Sequence, residues 1–194
     1  ADPAAVHLGG DKKVATVMFA DIRGYTAFSE GKDPEYIIQV LNEYFSEAVE
    51  LVITHKGFID KYIGDCIMAA WGVPLESEQT DAQLAVCCAL AIQDAVGSPD
   101  RRFFTGDAAG LSIGMGLHSG PLVAGNIGSA RRVDYTMIGD TVNIAARLEG
   151  VAGPGEVIIT EATRSLLEDR FELQKKRPVQ VKGKSEPLRI YNVK

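Results

Sequence analysis

Apart from Thr16, the chain is apolar from Val14 to Ala20 and then meets a carboxylate, Asp21. A short apolar run closed by turn residues predicts a buried strand over about 14–20, with Gly24 and its polar neighbours letting the backbone turn. Asp33-Pro34 has the form of a helix start, Asp as N-cap and Pro at the first helical position. From there Ile37, Leu41, Tyr44, Phe45, Ala48, Val49 and Val52 recur at helical spacing, and Gly57 is expected to stop the helix after His55-Lys56, with those basic residues in its last turn. Phe58–Lys61 and Cys66–Trp71 flank Ile63-Gly64-Asp65 and read as a β-hairpin.

A second helix is expected over Ala82–Val96, its Ala and Cys content suiting close packing, and then a surface loop over 97–110. Leu111–His118 and Leu122–Ala124 read as strands broken by Gly120 and Pro121. A strand end at Tyr135-Thr136-Met137 runs through Gly139-Asp140 into a helix beginning near Thr141. Asn143 and Arg147 lie one turn apart on a single face of that helix. After Gly153-Pro154-Gly155 come a strand at 156–160, a short helix at 161–168 and strands near 171–181 and 187–193. Strands and helices alternate, but the hairpin and the late strands favour an α+β fold with a largely antiparallel sheet.

Composition narrows the function. At 194 residues and 46% hydrophobic content the chain suits one globular domain. A net charge of −6 offers no basic stripe and argues against nucleic acid as a partner. Cys66 and the pair Cys87-Cys88 form neither metal-ligand spacing nor a disulfide framework, which points to a reducing compartment. Cys66 directly follows Asp65, so in a strand its side chain faces the other way, into the core. The apolar runs fall short of the ~20 residues a membrane helix needs, and no signal peptide is present. Residues 1–13, with Pro3 and Gly9-Gly10, read as an irregular linker, leaving 14–194 as the domain, and a fragment of a longer regulated protein is the expectation.

Asp21 and Asp65, at neighbouring sheet ends, suit hard divalent cations beside phosphates, and two such ions about 4 Å apart suit in-line phosphoryl transfer. A helix-borne Arg147 would offer planar charge to the phosphorus. By spacing alone, ordinary turn aspartates and a solvated Arg remain open. His118, within a strand, reads as structural. Gly183-Lys184-Ser185 imitates the end of a P-loop, but Pro178 stands where its first Gly is required.

Phe19-Ala20-Asp21-Ile22-Arg23-Gly24-Tyr25-Thr26, Lys61-Tyr62-Ile63-Gly64-Asp65 and Thr136-Met137-Ile138-Gly139-Asp140-Thr141-Val142-Asn143-Ile144-Ala145-Ala146-Arg147 together resemble the class III nucleotidyl cyclase catalytic domain. Gly116-Leu117-His118-Ser119-Gly120 and Val181-Lys182-Gly183-Lys184 resemble its lesser signatures, and the likeness covers roughly 14–193. Gly9-Gly10-Asp11 is similar to a diguanylate cyclase signature but precedes the first strand instead of capping a hairpin.

The resemblance implies a ferredoxin-like βαββαβ core with added C-terminal elements. It implies Asp21 and Asp65 as ligands of two divalent cations, Mg²⁺ or Mn²⁺, with the Ile22 carbonyl assisting. Gly24, Tyr25 and Thr26 would adjoin the substrate. Lys61 and Thr136 would read the base, Asn143 would orient the ribose, Arg147 would stabilise the transition state, and Lys182 (or Lys184) would reach the terminal phosphates. The implied reaction converts ATP to 3′,5′-cyclic AMP and pyrophosphate in a cytoplasmic signalling domain, with membrane anchoring of a longer protein left open. Metal ligands come from one subunit and the base-reading and Arg groups from the other, so a homodimer is implied, with an upstream regulatory segment.

Adenine presents an acceptor at N1 and donors at N6, and guanine reverses this. Lys61 is a pure donor and fits adenine N1, while Thr136 can accept from N6 although its hydroxyl can also donate. Guanine readers of this family usually carry Glu at the Lys61 position. Many adenylyl cyclases carry Asp where this chain has Thr136, and the Thr-bearing subset includes bicarbonate-responsive members, so bicarbonate activation is an expectation. Guanylyl cyclase and a catalytically silent nucleotide-binding domain are the alternatives.

Overall fold

The computed structural model describes residues 9–75, 81–101, 103–129, 131–181 and 186–194. Strand β1 (Gly9–Arg23) leads through a short helix α1 (Tyr25–Ser29) into α2 (Pro34–Thr54). The hairpin β2 (Phe58–Ile63) and β3 (Cys66–Trp71) follows, then α3 (Asp81–Gly97). A 3₁₀ turn at Gly106–Gly110 precedes β4 (Ser112–Ser129), β5 (Arg132–Ile138) and α4 (Asp140–Glu149). The chain closes with β6 (Val157–Thr160), α5 (Glu161–Arg164), β7 (Leu173–Lys175) and β8 (Ile190–Val193).

These strands form one sheet in the order β2-β3-β1-β4-β6-β8-β7, with β5 paired to β4. Its first four strands, with α2 and α3, are the βαββαβ core of the ferredoxin-like fold, and every pairing within it is antiparallel. The β4–β6 pairing is parallel. Alternation along β1 divides the core. Met18, Ala20 and Ile22 pack with Ile67, Ala69 and Trp71 beneath α2 and α3. Ala15, Val17 and Phe19 face the other way, with Met68, Leu122, Met137 and Ala145 of α4.

Helix α2 starts as expected, the Asp33 side chain accepting from the Glu35 backbone N–H at 2.9 Å. Its exit differs from expectation. Lys56 takes the left-handed conformation, at φ 60°, and no basic residue lies in the last turn. Gly57 is needed for space, since a Cβ there would stand 2.7 Å from the Trp71 ring and from Val52.

Further expectations are corrected. Residues 9–13, read as irregular lead-in, extend β1 and pair with β4 from Gly9↔Asn126 onward. Gly120 and Pro121 do not break β4. The far edge of that strand is covered by β6 at Met115–Leu117 and by β5 at Val123–Ser129, and Pro121 falls in the gap between them. The stretch 97–110 is not wholly surface, because Phe103 and Phe104 are buried against Tyr44. At the C-terminal end, α5 covers only 161–164 of the expected helix. The late strands shorten to β7 and β8 with an isolated Val179↔Leu188 bridge.

Candidate functional site

Two polar clusters form at the ends of β1–β3 and β5, and a third set of groups lies on α4. The first contains the carboxylates. Pairing of β1 with β3 ends at Ala20↔Ile67, so Asp21 and the turn residue Asp65 stand side by side just beyond it. Gly64, at φ 63°, closes that turn in the left-handed region. Burial comes first in raising both carboxyls above their ordinary values, and for Asp21 the charge of Asp65 adds to it. The backbone N–H groups of Asp65 and Ile22 pull Asp65 the other way without reversing the shift. Tyr25 lies near enough for the charge of Asp65 to raise its phenol, after burial. Gly24, at φ 86°, caps α1, and Thr26 is exposed beside it.

Arg23 is the neighbouring cation. Its guanidinium donates to Asp21 Oδ2 at 2.7 Å, to Glu149 Oε1 at 2.6 Å, and to the Ala152 carbonyl at 3.0 Å; it also bonds the Glu149 carbonyl. The Glu149 carboxyl is still raised, by burial first. Three half-buried carboxylates thus lie together, Asp65 within reach of the Glu149 charge, and the one guanidinium bonds only Asp21 and Glu149, so the excess negative charge favours a cation. Among the described residues no group of three or more His, Cys, Asp or Glu side chains could hold a metal ion. Asp21 and Asp65, the latter bonded by the Ile22 backbone N–H, could supply part of an oxygen donor set. Such a set suits a hard divalent ion that completes its shell with substrate phosphates and water.

The second cluster joins β2 to β5. Lys61 Nζ donates to Thr136 Oγ1 at 3.0 Å, and the Thr136 hydroxyl donates to Asp60 Oδ2 at 3.0 Å. Lys61 also lies 3.2 Å from Asp60 Oδ2. The β2–β3 register shifts between Ile59 and Lys61, leaving Asp60 as an extra residue in a β-bulge. Bulges re-aim side chains, and here Asp60 and Lys61, neighbours in sequence, both reach Thr136. The Asp60 side chain is fully buried, whereas that of Lys61 is 45% exposed. Sequence reasoning missed Asp60; an Asp-Lys pair on a hairpin strand reads as solvated surface, and no local signal marks the bulge.

The third element is α4. Thr141, Ile144, Ala145 and Leu148 are buried, while Asn143 and Arg147 are exposed on its outer face. The helix lies directly on β4 because that strand carries glycines on the facing side. A Cβ at Gly116 would stand 2.1 Å from the Glu149 nitrogen, and one at Gly120 would stand 2.8 Å from Thr141 Oγ1. At Gly114 it would meet the Arg23 guanidinium at 2.3 Å. Thr141 in turn donates to the Pro121 carbonyl at 2.7 Å. Glycines at 114, 116 and 120 were the available signal for this close approach.

Lys182 and Lys184 lie outside the described residues. His118 is buried with its Nδ1 2.7 Å from Thr160 Oγ1. Burial raises the Cys66 thiol to about 12, so it is protonated and unreactive at neutral pH. No helix among the described residues is long and apolar enough to cross a membrane.

The sequence profile of the adenylate and guanylate cyclase catalytic domain matches residues 10–194. An adenylate cyclase of Anabaena cylindrica is 38% identical over 92% of this chain and 36% of its own length. Adenylate cyclase 1 of Rhizobium meliloti is 33% identical over 96% of the chain and 29% of its own length. The chain thus spans about a third of these curated relatives. Among solved structures, the adenylyl cyclase CyaB from P. aeruginosa superposes with a TM-score of 0.84 at 35% identity, covering 96% of both chains. The guanylyl cyclase Cya2 superposes with a TM-score of 0.89 at 35% identity, covering 96% of this chain and 94% of that one.

Proposed function

The chain belongs to the adenylate and guanylate cyclase catalytic-domain family, and from that premise we propose that it is an adenylyl cyclase forming 3′,5′-cyclic AMP and pyrophosphate from ATP. The observation that carries the choice of base is the 3.0 Å contact between Lys61 and Thr136, residues 75 apart in sequence. Lys61 is a donor at every proton and matches adenine N1, while guanine offers N1–H there. Thr136 beside it supplies an oxygen for the N6 amine. Guanylyl cyclase is the second reading, favoured by the likeness to Cya2, and Lys61 argues against it.

In the reaction the substrate 3′-oxygen bonds to the α-phosphorus, the bond from that phosphorus to the bridging oxygen breaks, and the hydroxyl proton passes to solvent. Asp21, Asp65 and the Ile22 carbonyl would hold two divalent cations, Mg²⁺ or Mn²⁺. The chemistry such a pair supplies is acidification of the attacking hydroxyl and charge neutralisation on the departing pyrophosphate. Asn143 orients the ribose so that the hydroxyl lies in line. Arg147 presents its guanidinium to the crowded phosphorus, where it counters charge that grows in the transition state. Gly24, Tyr25 and Thr26 flank the phosphates, and Lys182 binds the terminal ones.

Asn143 and Arg147 point outward from α4, which supports their use by a second copy across a twofold axis. An isologous homodimer then completes two equivalent sites from the carboxylates of one protomer and the base-reading and α4 groups of its partner. Bicarbonate is proposed as an activator through the Thr136-bearing site, and a flat bicarbonate titration at constant pH removes that point. The test of the main reading is cyclic nucleotide formation from ATP and from GTP with Mn²⁺ over a range of protein concentration. Cyclic AMP rising faster than linearly with protein is expected; cyclic GMP as the main product overturns the choice of base.

A further inference from the structure

We propose that Asp60 is a positioning residue that fixes Thr136 as a hydrogen-bond acceptor, and so makes this chain's preference for adenine depend on a buried carboxylate that does not touch the base. The inference rests on the adenylyl cyclase reading and deepens it.

A threonine hydroxyl has one proton and two acceptor positions, and left alone it rotates to suit whatever faces it. Such a group discriminates poorly between the amine at C6 of adenine and the carbonyl at C6 of guanine. Here the rotation is constrained from behind. The Thr136 proton is given to Asp60 Oδ2 at 3.0 Å, and one lone pair receives Lys61 at 3.0 Å. What remains on the Thr136 oxygen is a lone pair, which accepts from an amine and repels a carbonyl. The Asp60 Oδ2 that receives this proton also faces Lys61 Nζ at 3.2 Å, a group with only protons to give, so that oxygen stands as the acceptor between two donors.

The remainder of Asp60 points the same way. Its side chain is fully buried, and its Oδ1 is buried without a hydrogen-bond partner among the described residues. A buried carboxylate oxygen left unpaired is costly. A network serving only to tie β2 to β5 gains nothing from it. The bulge that brings Asp60 inward interrupts the hairpin register at this one residue. Charge is balanced locally, because Lys61 lies 3.2 Å from the same oxygen. One carboxylate thus orders both base-reading side chains.

The test compares kcat/KM for ATP, GTP and the triphosphate of purine riboside, which lacks the N6 amine, in wild type, Asp60→Ala and Asp60→Asn. Wild type is expected to prefer ATP over both others. In Asp60→Ala the Thr136 hydroxyl turns freely, and both ratios are expected to fall about tenfold or more. Asp60→Asn retains an oxygen, which the Lys61 ammonium holds towards Thr136, and is expected to keep most of the discrimination. A merely structural role for Asp60 lowers all three substrates in parallel, and unchanged ratios in Asp60→Ala overturn the proposal. Wild type preferring GTP overturns the adenylyl cyclase reading itself, and the acceptor assignment with it. Should Asp60→Ala fail to fold, Asp60→Leu fills the volume without an acceptor and makes the same comparison. If turnover is too low, the same ratios are read as dissociation constants by displacement of a fluorescent ATP analogue, where a tenfold fall again supports the proposal and unchanged ratios again overturn it.

Discussion

Arg23, on the last residue of β1, holds Glu149, on the last residue of α4, through a 2.6 Å ion pair spanning 126 positions of sequence. The same guanidinium holds Asp21 at 2.7 Å. The strand that presents a metal-ligand candidate and the helix that presents Asn143 and Arg147 are therefore fastened by one side chain. Arg23→Ala leaves two half-buried carboxylates without their cation and is expected to cost about 1–3 kcal/mol in chemical denaturation. Arg23→Lys should recover little of this, since a single ammonium cannot serve both carboxylates and the Ala152 carbonyl in one plane.

Substitution at Gly116 tests the seat of α4. With a Cβ placed 2.1 Å from helix backbone, Gly116→Ala requires the helix to move. Overpacking of this kind costs about 1–3 kcal/mol, and the cyclase rate is expected to fall further than stability alone explains. Gly97→Ala, at the end of α3 with nothing within 4 Å, is the control and should be neutral or mildly stabilising.

The proposed sharing of sites between two protomers makes a complementation prediction. Asp21→Ala and Arg147→Ala proteins should each be nearly inactive. Mixed in equal amounts, they should recover about a quarter of wild-type sites, one intact site in each mixed dimer. Absence of recovery under conditions of proven subunit exchange counts against the shared site.

Cation binding should be visible without turnover. Burial raises both Asp21 and Asp65, so their charged forms are penalised in the folded protein. Mg²⁺ or Mn²⁺ is expected to raise the melting temperature near neutral pH. In chelator, Asp21→Asn should melt at or above wild type, gain nothing from added cation, and fail to form cyclic nucleotide.

The Glu156–Lys176 pair supplies a pH dependence. Lys176 donates to Glu156 Oε2 at 2.6 Å and the Gly153 N–H donates at 2.9 Å, and the lysine contact is the first cause holding the Glu156 carboxyl below its ordinary 4.5. The unfolded chain binds this proton more readily than the folded one. The resulting stability is present above pH 4.5 and is lost as pH falls through the lower folded value. Glu156→Gln is expected to cost at most about 1 kcal/mol at pH 7, with the difference from wild type shrinking in acid. A difference that grows on acidification would count against the assignment.

Sequence showed most where its signals were local. Asp33-Pro34 marked the start of α2, Gly64 marked the hairpin turn, and four-residue spacing put Asn143 and Arg147 on one exposed face. It misled where tertiary context overrode a local rule. Gly120 and Pro121 interrupt most strands, yet here they lie between two pairing partners and against Thr141. Phe103-Phe104 sat among loop-forming residues, although two adjacent aromatics were themselves a sign of burial. Arg23–Glu149 and Asp60–Thr136 were out of reach, because nothing local signals a partner 126 or 76 positions away.

Strand β4 has a consequence of its own. Gly114, Gly116 and Gly120 lie at even steps along it, so they share one face, Gly116 and Gly120 under α4 and Gly114 under the Arg23 guanidinium, and keep or lose it together. A slip of one residue against β1 would present Met115, Leu117 and Pro121 to the helix instead. Arg23 would lose its niche, α4 its seat and Thr141 its carbonyl in the same event. The strand behaves as a key cut for one lock position: partial misalignment has no half-working form, and the candidate site residues are indexed by a single count along the chain.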